Sequence, residues 1–83
     1  MNKHHIYILK SIKDKKNYTG YTSDLGRRLH EHDKGMVKST KNRRPLKLIH
    51  TESFNTKKEA LEKEKHLKTR QGRRELERII KNI

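Results

Sequence analysis

The chain has no cysteine and no tryptophan, and its aromatic residues are Phe54 and three tyrosines. Without cysteine there can be no disulfide and no Cys-ligated zinc. So few aromatics exclude the stacking platform on which single-strand binders lay successive bases. Long apolar runs are also missing. No segment approaches the roughly 20 apolar residues of a membrane-spanning helix, and the N-terminus has no signal-peptide-like apolar stretch. Acidic residues are scarce beside basic ones, 10 Asp and Glu against 23 Lys and Arg in 83 residues. No helix pairs a basic face with a broad aromatic or Leu-rich one, which speaks against a membrane surface as partner. An intracellular, cytoplasmic protein is the default expectation.

The residues that are present give a formal net charge of +13. A chain this basic attracts polyanions at long range, and nucleic acid is the usual one. About a fifth of the residues are Ile, Leu, Val or Phe, near the level at which high net charge begins to favour disorder. Any core is small, because a domain of this length buries only about 60% of the surface of its unfolded chain. Composition thus leaves order and disorder open, and patterning decides. There is neither an internal repeat nor a low-complexity tail, and the length fits one domain over 1–83.

His5-Ile-Tyr-Ile-Leu9 is β-branched and aromatic, and reads as a strand. A polar link around Asp14, interrupted by Ile12, leads through Asn17 to a second β-prone run, Tyr18 to Thr22; together they predict an antiparallel hairpin. Thr22 or Ser23 can cap a helix beginning at Asp24, with Gly35 as its stop. Lys38 to Arg44 is a basic loop closed by Pro45, and Leu46 to His50 alternates like a third strand. Thr56-Lys-Lys-Glu59 is a capping box that opens a second helix through about Thr69. Gln71 or Gly72 breaks the pattern, and Arg73 to Lys81 predicts a last helix with Leu76, Ile79 and Ile80 inward. The order ββαβαα, consistent at nearly every boundary, predicts an α+β domain: a small three-stranded antiparallel sheet flanked by helices.

Two helices carry polar residues where the core should be. The inward stripe of the first is Leu25, Arg28, Leu29, His32 and Met36; that of the second is Ala60, Leu61, Glu64 and Leu67. Glu59 and Glu62 lie off the stripe, spaced for helical pairs with Lys63 and His66. Buried charge is costly unless paired or bound to something. Arg28 and Glu64 can simply pair with each other, and Tyr7, Tyr18 and Tyr21 can simply pack. Taken together, however, an arginine, a histidine, a carboxylate and two tyrosines on elements that meet are the parts needed for phosphodiester chemistry. That chemistry uses a cation for the phosphate, a carboxylate for a divalent metal, and a proton acceptor for water.

In these residues the sequence resembles the GIY-YIG nuclease family. His5-Ile6-Tyr7 stands where that family has Gly-Ile-Tyr, and Tyr18-Thr19-Gly20 where it has Tyr-Ile-Gly. Asp24-Leu-Gly-Arg-Arg28-Leu29 with His32 looks like the family's arginine helix, and Asn55 to Glu64 like its metal helix. The resemblance spans almost the whole chain and is strongest to small stand-alone members, which are themselves similar to the N-terminal nuclease domain of the bacterial excision-repair nuclease. Tyr21 stands where some members have Lys, and no clear counterpart of the family's late Asn is found, Asn82 being poorly placed. The resemblance implies hydrolysis of a DNA strand with one Mg²⁺ or Mn²⁺, on structured DNA and linked to repair or recombination.

It implies catalytic roles for Tyr7, Tyr18, Arg28, His32 and Glu64, with Glu64 the metal ligand and Gly20 giving the backbone close approach to the site. Arg28 would grip the phosphate with its planar fork. Either tyrosine could take the proton of the attacking water, given neighbours that lower a pKa near ~10. His32 could orient a tyrosine or relay a proton. Lys38, Lys41, Arg43 and Arg44 in the loop, and Lys68, Arg70, Arg73 and Arg74 beyond the second helix, are candidate phosphate contacts. His4-His5 and His30-x-His32 lack the spacing of a helical zinc pair. The competing readings are a non-catalytic basic nucleic-acid-binding module on the same fold and an RNA- or ribosome-associated accessory protein. Residue types alone do not separate DNA from RNA or fix the oligomeric state.

Overall fold

The computed structural model describes residues 3–81, so Asn82 lies outside the described residues. Strand β1 (His4–Ser11) and strand β2 (Asn17–Thr22) form the hairpin, followed by α1 (Leu25–Asp33), a 3₁₀ turn (Lys41–Arg43), β3 (Leu46–Phe54), α2 (Lys57–Leu67) and α3 (Arg70–Lys81). The sheet is antiparallel in the order β2-β1-β3, the architecture expected from the sequence. Among the described residues no helix is long and apolar enough to cross a membrane. As the central strand, β1 is covered on both faces, and Ile6, Tyr7, Ile8 and Leu9 are all buried. Ile6 and Ile8 face α2 and α3, forming the core with Ala60 and Leu67 and the flanking Ile49, Phe54, Leu76 and Ile79. Leu9 faces the other way and lines a small cavity of about 150 Å³ with Leu29, His32, Leu46 and Leu48. Because side chains alternate along a strand, Tyr7 shares that second face.

Several boundaries differ from the sequence expectation, each for a local reason. Asp24, not Thr22 or Ser23, caps α1: its Oδ1 accepts the Arg27 N–H at 3.1 Å. The Thr22 hydroxyl is already committed to the turn, accepting from Asp24 N and donating to Asp24 O. Gly35 does end α1, in the left-handed region at φ 75°. The capping box forms as expected, with Thr56 Oγ1 accepting from Glu59 N and donating to its carboxylate. The third strand runs on to Phe54 because its pairing continues to His4. Gly72 does not break the last helix but lies buried in its first turn. A Cβ there would strike the His66 carbonyl and the Leu67 Cα, so the residue permits the tight α2–α3 corner. Thr69 starts that helix, accepting Gly72 N–H and donating to His66 O.

The inward stripes are narrower than expected. Met36 is 68% exposed and Leu61 39%, leaving Ala60 and Leu67 as the buried residues of α2. Lys63 and His66 do not pair along their own helix with Glu59 and Glu62; both reach Glu75 on α3.

Candidate active site

Tyr7 and Tyr18 come from adjacent strands and point to the same face. Tyr7 pairs across the ladder with Gly20, and Tyr18 with Leu9. A Cβ on Gly20 would collide with Cε2, Cζ and Oη of Tyr7, so the glycine is the floor on which the phenol lies. Helix α1 crosses the same face and delivers Arg28 and His32 from successive turns. His32 is 1% exposed, and its Nε2 is 2.8 Å from the Tyr7 hydroxyl. The three rings cluster: His32 lies edge-on to Tyr7 and to Tyr18, with centroids 5.4 Å apart in each case. The other ring nitrogen, Nδ1, is 2.7 Å from Oγ1 of Thr40, a fully buried residue of the loop after α1.

The simple Arg28–Glu64 pairing that the sequence also allowed does not form. Arg28 turns to Glu31 at 3.1 Å, and Glu64 has only a loose contact with Lys68 at 3.8 Å. Both nonetheless act on Tyr7. Burial is the main reason that its phenol ionises above its ordinary value; Arg28 opposes this, while the neighbouring Tyr18 phenol and the Glu64 carboxylate add to it. Because the guanidinium is already aligned on Glu31, we attribute its effect on Tyr7 to proximity and charge more than to a well-directed hydrogen bond. His32 is held below the usual histidine range, chiefly by burial and then by the Arg28 charge. Both shifts favour the neutral forms of the bonded Tyr7 phenol and His32 imidazole.

Among the described residues no group of three or more His, Asp or Glu side chains could hold a metal ion. Glu64 is the carboxylate whose charge reaches the phenol, and it is partly exposed and weakly paired. That donor set fits a hydrated ion such as Mg²⁺, which keeps several waters and takes one or two carboxylates together with substrate phosphate.

The candidate phosphate contacts divide into two groups. Two of the loop cations are tied up within the protein: Arg43 Nε pairs with Asp14 at 2.9 Å, while Arg44 donates to the carbonyls of Lys41 and Asp33. Lys38 and Lys41 remain exposed. Arg70, Arg73 and Arg74 are exposed and make no ion pair among the described residues. A groove of about 260 Å³ runs from Tyr18 and Asn17 to Lys68 and Arg73, connecting the ring cluster to that basic surface. Tyr21 takes the packing role, its hydroxyl 2.8 Å from His4 Nδ1. His5, at the position of the motif's first glycine, bonds Ser53. Thr40 has no signal in the sequence: it sits in a basic loop without periodicity, and only the folded chain places it against His32.

Comparison with known proteins bears on the fold and the family. The model of the GIY-YIG catalytic domain matches residues 3–78. A UPF0213 protein of Staphylococcus saprophyticus is 45% identical over 80 residues, covering 95% of this chain and 96% of its own. One from Natronomonas pharaonis is 41% identical over 78 residues, covering 93% and 89%. The solution NMR structure of a UPF0213 protein from Bacillus halodurans superposes with a TM-score of 0.55 at 39% identity, covering 89% of this chain and 81% of that one. With its two motif tyrosines on paired strands, its arginine helix beside them and a domain match over nearly its whole length, this chain belongs to the GIY-YIG family.

Proposed function

We propose that the protein is a metal-dependent DNA endonuclease that acts through one domain spanning residues 1–83. The family supplies a nuclease-type fold. The observation that carries the reading to this chain is the convergence of Tyr18, Arg28, His32 and Glu64 on the buried Tyr7 phenol above Gly20. Nucleases of this family generally use divalent ions, and Glu64 is the residue that would hold Mg²⁺ or Mn²⁺ here. The bound ion would supply charge stabilisation at the scissile phosphate. Arg28 grips a non-bridging phosphate oxygen, for which a fixed planar fork suits better than an ammonium. Tyr7 is the better placed of the two tyrosines to take the proton of the attacking water, since its oxygen is bonded to His32 and feels the Arg28 charge; being a neutral phenol at rest, it must first release its own proton, to His32 or to solvent, and then accepts that of the water as a phenolate. Lys68, Arg70, Arg73 and Arg74 hold the backbone of the bound strand, joined by Lys38 and Lys41. Arg43 and Arg44 contribute less, being occupied within the protein.

The substrate class is structured DNA of the kind met in repair or recombination. The test is cleavage of branched, flapped and nicked duplexes with Mg²⁺ or Mn²⁺ by the wild type, Glu64→Ala and Arg28→Ala. Metal-dependent cutting lost in both variants is the expected result. Tight binding without cutting under either metal would favour a non-catalytic binding module, and a preference for RNA in competition would favour the RNA-associated reading.

A further inference from the structure

At the end of the sheet two lysines stand directly opposite each other. Lys10 pairs across the ladder with Asn17 on β2 and with Lys47 on β3. The three form one row across the sheet, on the face that carries Ile6 and Ile8. Like charges opposite each other on adjacent strands are destabilising, their Cβ atoms lying only about 4.5–5.5 Å apart. Nothing within the protein relieves this pair: Lys10 is half-buried, and neither lysine makes an ion pair among the described residues. Lys15, at a left-handed φ of 64° in the hairpin turn, brings a third cation to the same concavity of about 270 Å³. Its other walls are Ile12, Ile49 and Ile80, with no carboxylate. Ile80 is shared with a groove of about 430 Å³ along α3, where Arg74, Glu77, Arg78 and Lys81 recur at helical spacing against Asn17. Asn17 is shared in turn with the groove that opens at Tyr18. The three meet end to end, and eight Lys and Arg side chains line the whole course against one carboxylate, Glu77.

We propose that Lys10, Lys15 and Lys47 form a second nucleic-acid contact, which holds the phosphate backbone of the substrate to one side of the reacting phosphate, with the flank of α3 as the path between. The place of the reacting phosphate rests on the nuclease reading above; the contact itself rests on charge and shape. A polynucleotide fits because its charges repeat along a strand, about one per 3.4 Å, as the cations repeat along the course. The floor at the lysine row is aliphatic and has no aromatic ring, so it packs against sugars and does not stack bases. Such a contact positions the strand without reading its sequence. Lys10 lies on β1 three residues beyond Tyr7, about 10 Å along the strand, and the course also bends round the sheet from one face to the other. The row thus lies on the order of three to six nucleotides from the reacting phosphate.

The experiment is binding of a fluorescein-labelled duplex of about 20 base pairs, followed by anisotropy over a range of salt, with EDTA present so that nothing is cut. Lys10→Gln combined with Lys47→Gln is expected to weaken binding several-fold and to lower the slope of log K against log salt by about 0.9 for each phosphate released. Lys57→Gln combined with Lys58→Gln removes the same charge from the start of α2, near the opposite end of the sheet where Phe54 pairs with His4. That control is expected to keep a slope near the wild-type value. An equal fall in both double variants would overturn the proposal. So would an unchanged slope in the first, which would leave the lysine row to an acidic protein partner. Lys47→Glu gives an independent reading, because it sets a carboxylate opposite Lys10. It is expected to raise the melting midpoint by roughly 1–5 °C while weakening DNA binding. A lowered midpoint, or binding like that of the wild type, would sink the idea. If the wild type binds the duplex but cuts nothing once Mg²⁺ or Mn²⁺ is supplied, the nuclease reading fails and the contact stands; if it binds no duplex, both fail.

Discussion

Substituting Gly20 by alanine tests the geometry of the site without touching any group assigned a chemical role. Gly20 does not need a left-handed backbone, so alanine costs nothing in φ and even gains about 0.4–1 kcal/mol by restricting the unfolded chain. Against that gain stands the collision of its Cβ with the Tyr7 ring. The ring cannot slide aside freely, because its hydroxyl is bonded to His32, which is bonded in turn to Thr40. Overpacking of this kind costs about 1–3 kcal/mol, and displacing the phenol would leave His32 with an unpaired buried nitrogen at about 1–3 kcal/mol more. We expect a net loss of about 2–4 kcal/mol, a large part of the roughly 4–12 kcal/mol available to a domain of this length. By the usual scaling for small domains the melting midpoint falls by about ten degrees or more. Urea unfolding monitored by far-UV circular dichroism gives the number. A double-mutant cycle with Tyr7→Leu locates its cause, since the penalty should shrink when the ring is gone. A Gly20→Ala variant within about 0.5 kcal/mol of wild type, or a penalty unchanged by Tyr7→Leu, would refute the reasoning.

Gly72→Ala should be more damaging still, by about 3 kcal/mol or more, because its Cβ meets backbone atoms of His66 and Leu67 that cannot rotate away; the same unfolding assay measures it. His32 makes stability pH-dependent in a known direction. Its folded pKa lies below the ordinary value of about 6.5, so as pH falls through 6.5 the unfolded chain takes up a proton that the folded one refuses, and stability declines. The drop in urea midpoint from pH 8 to pH 5.5 should therefore be smaller in His32→Gln than in the wild type. Reversing Arg73 and Arg74 to Glu together should weaken DNA binding and flatten the salt dependence by about 0.7–0.9 for each phosphate that is no longer neutralised. Arg43→Gln should change that slope much less and lower stability instead, through its pair with Asp14.

Much of this fold is legible in the sequence because it is specified locally. The alternation of His5 to Leu9, the capping box at Thr56 and the glycine stop at Gly35 each act within a few residues. The candidate site residues stand out for a related reason: Arg28, His32 and Glu64 break a periodic stripe, and a break in a regular pattern is visible without coordinates. What stays hidden depends on how distant segments meet. The Glu75 carboxylate draws Lys63 and His66 away from the nearer Glu59 and Glu62, and no helical spacing rule contains that competition. Gly72 looks like a helix breaker until the chain is seen to turn back on the end of α2. The loop arginines look free until Asp14 and the carbonyls of Asp33 and Lys41 are found against them. Thr40 is the extreme case, a residue with no local signature whose side-chain partner lies eight positions away.

The central strand has one further consequence. Ile6 and Ile8 hold one face of the domain while Tyr7, between them, holds the other, so neighbouring peptide groups serve the hydrophobic core and the phenol. Local opening in proteins follows cooperative units and spares the strands buried on both sides. The amide of Tyr7 should thus exchange its hydrogen only when the whole domain unfolds, alongside those of Ile6 and Ile8, well after the exposed end of α3. The Tyr7 phenol would thus sit on the last part of the molecule to open, and on the nuclease reading adaptation to a substrate would fall to the strands and helices around it.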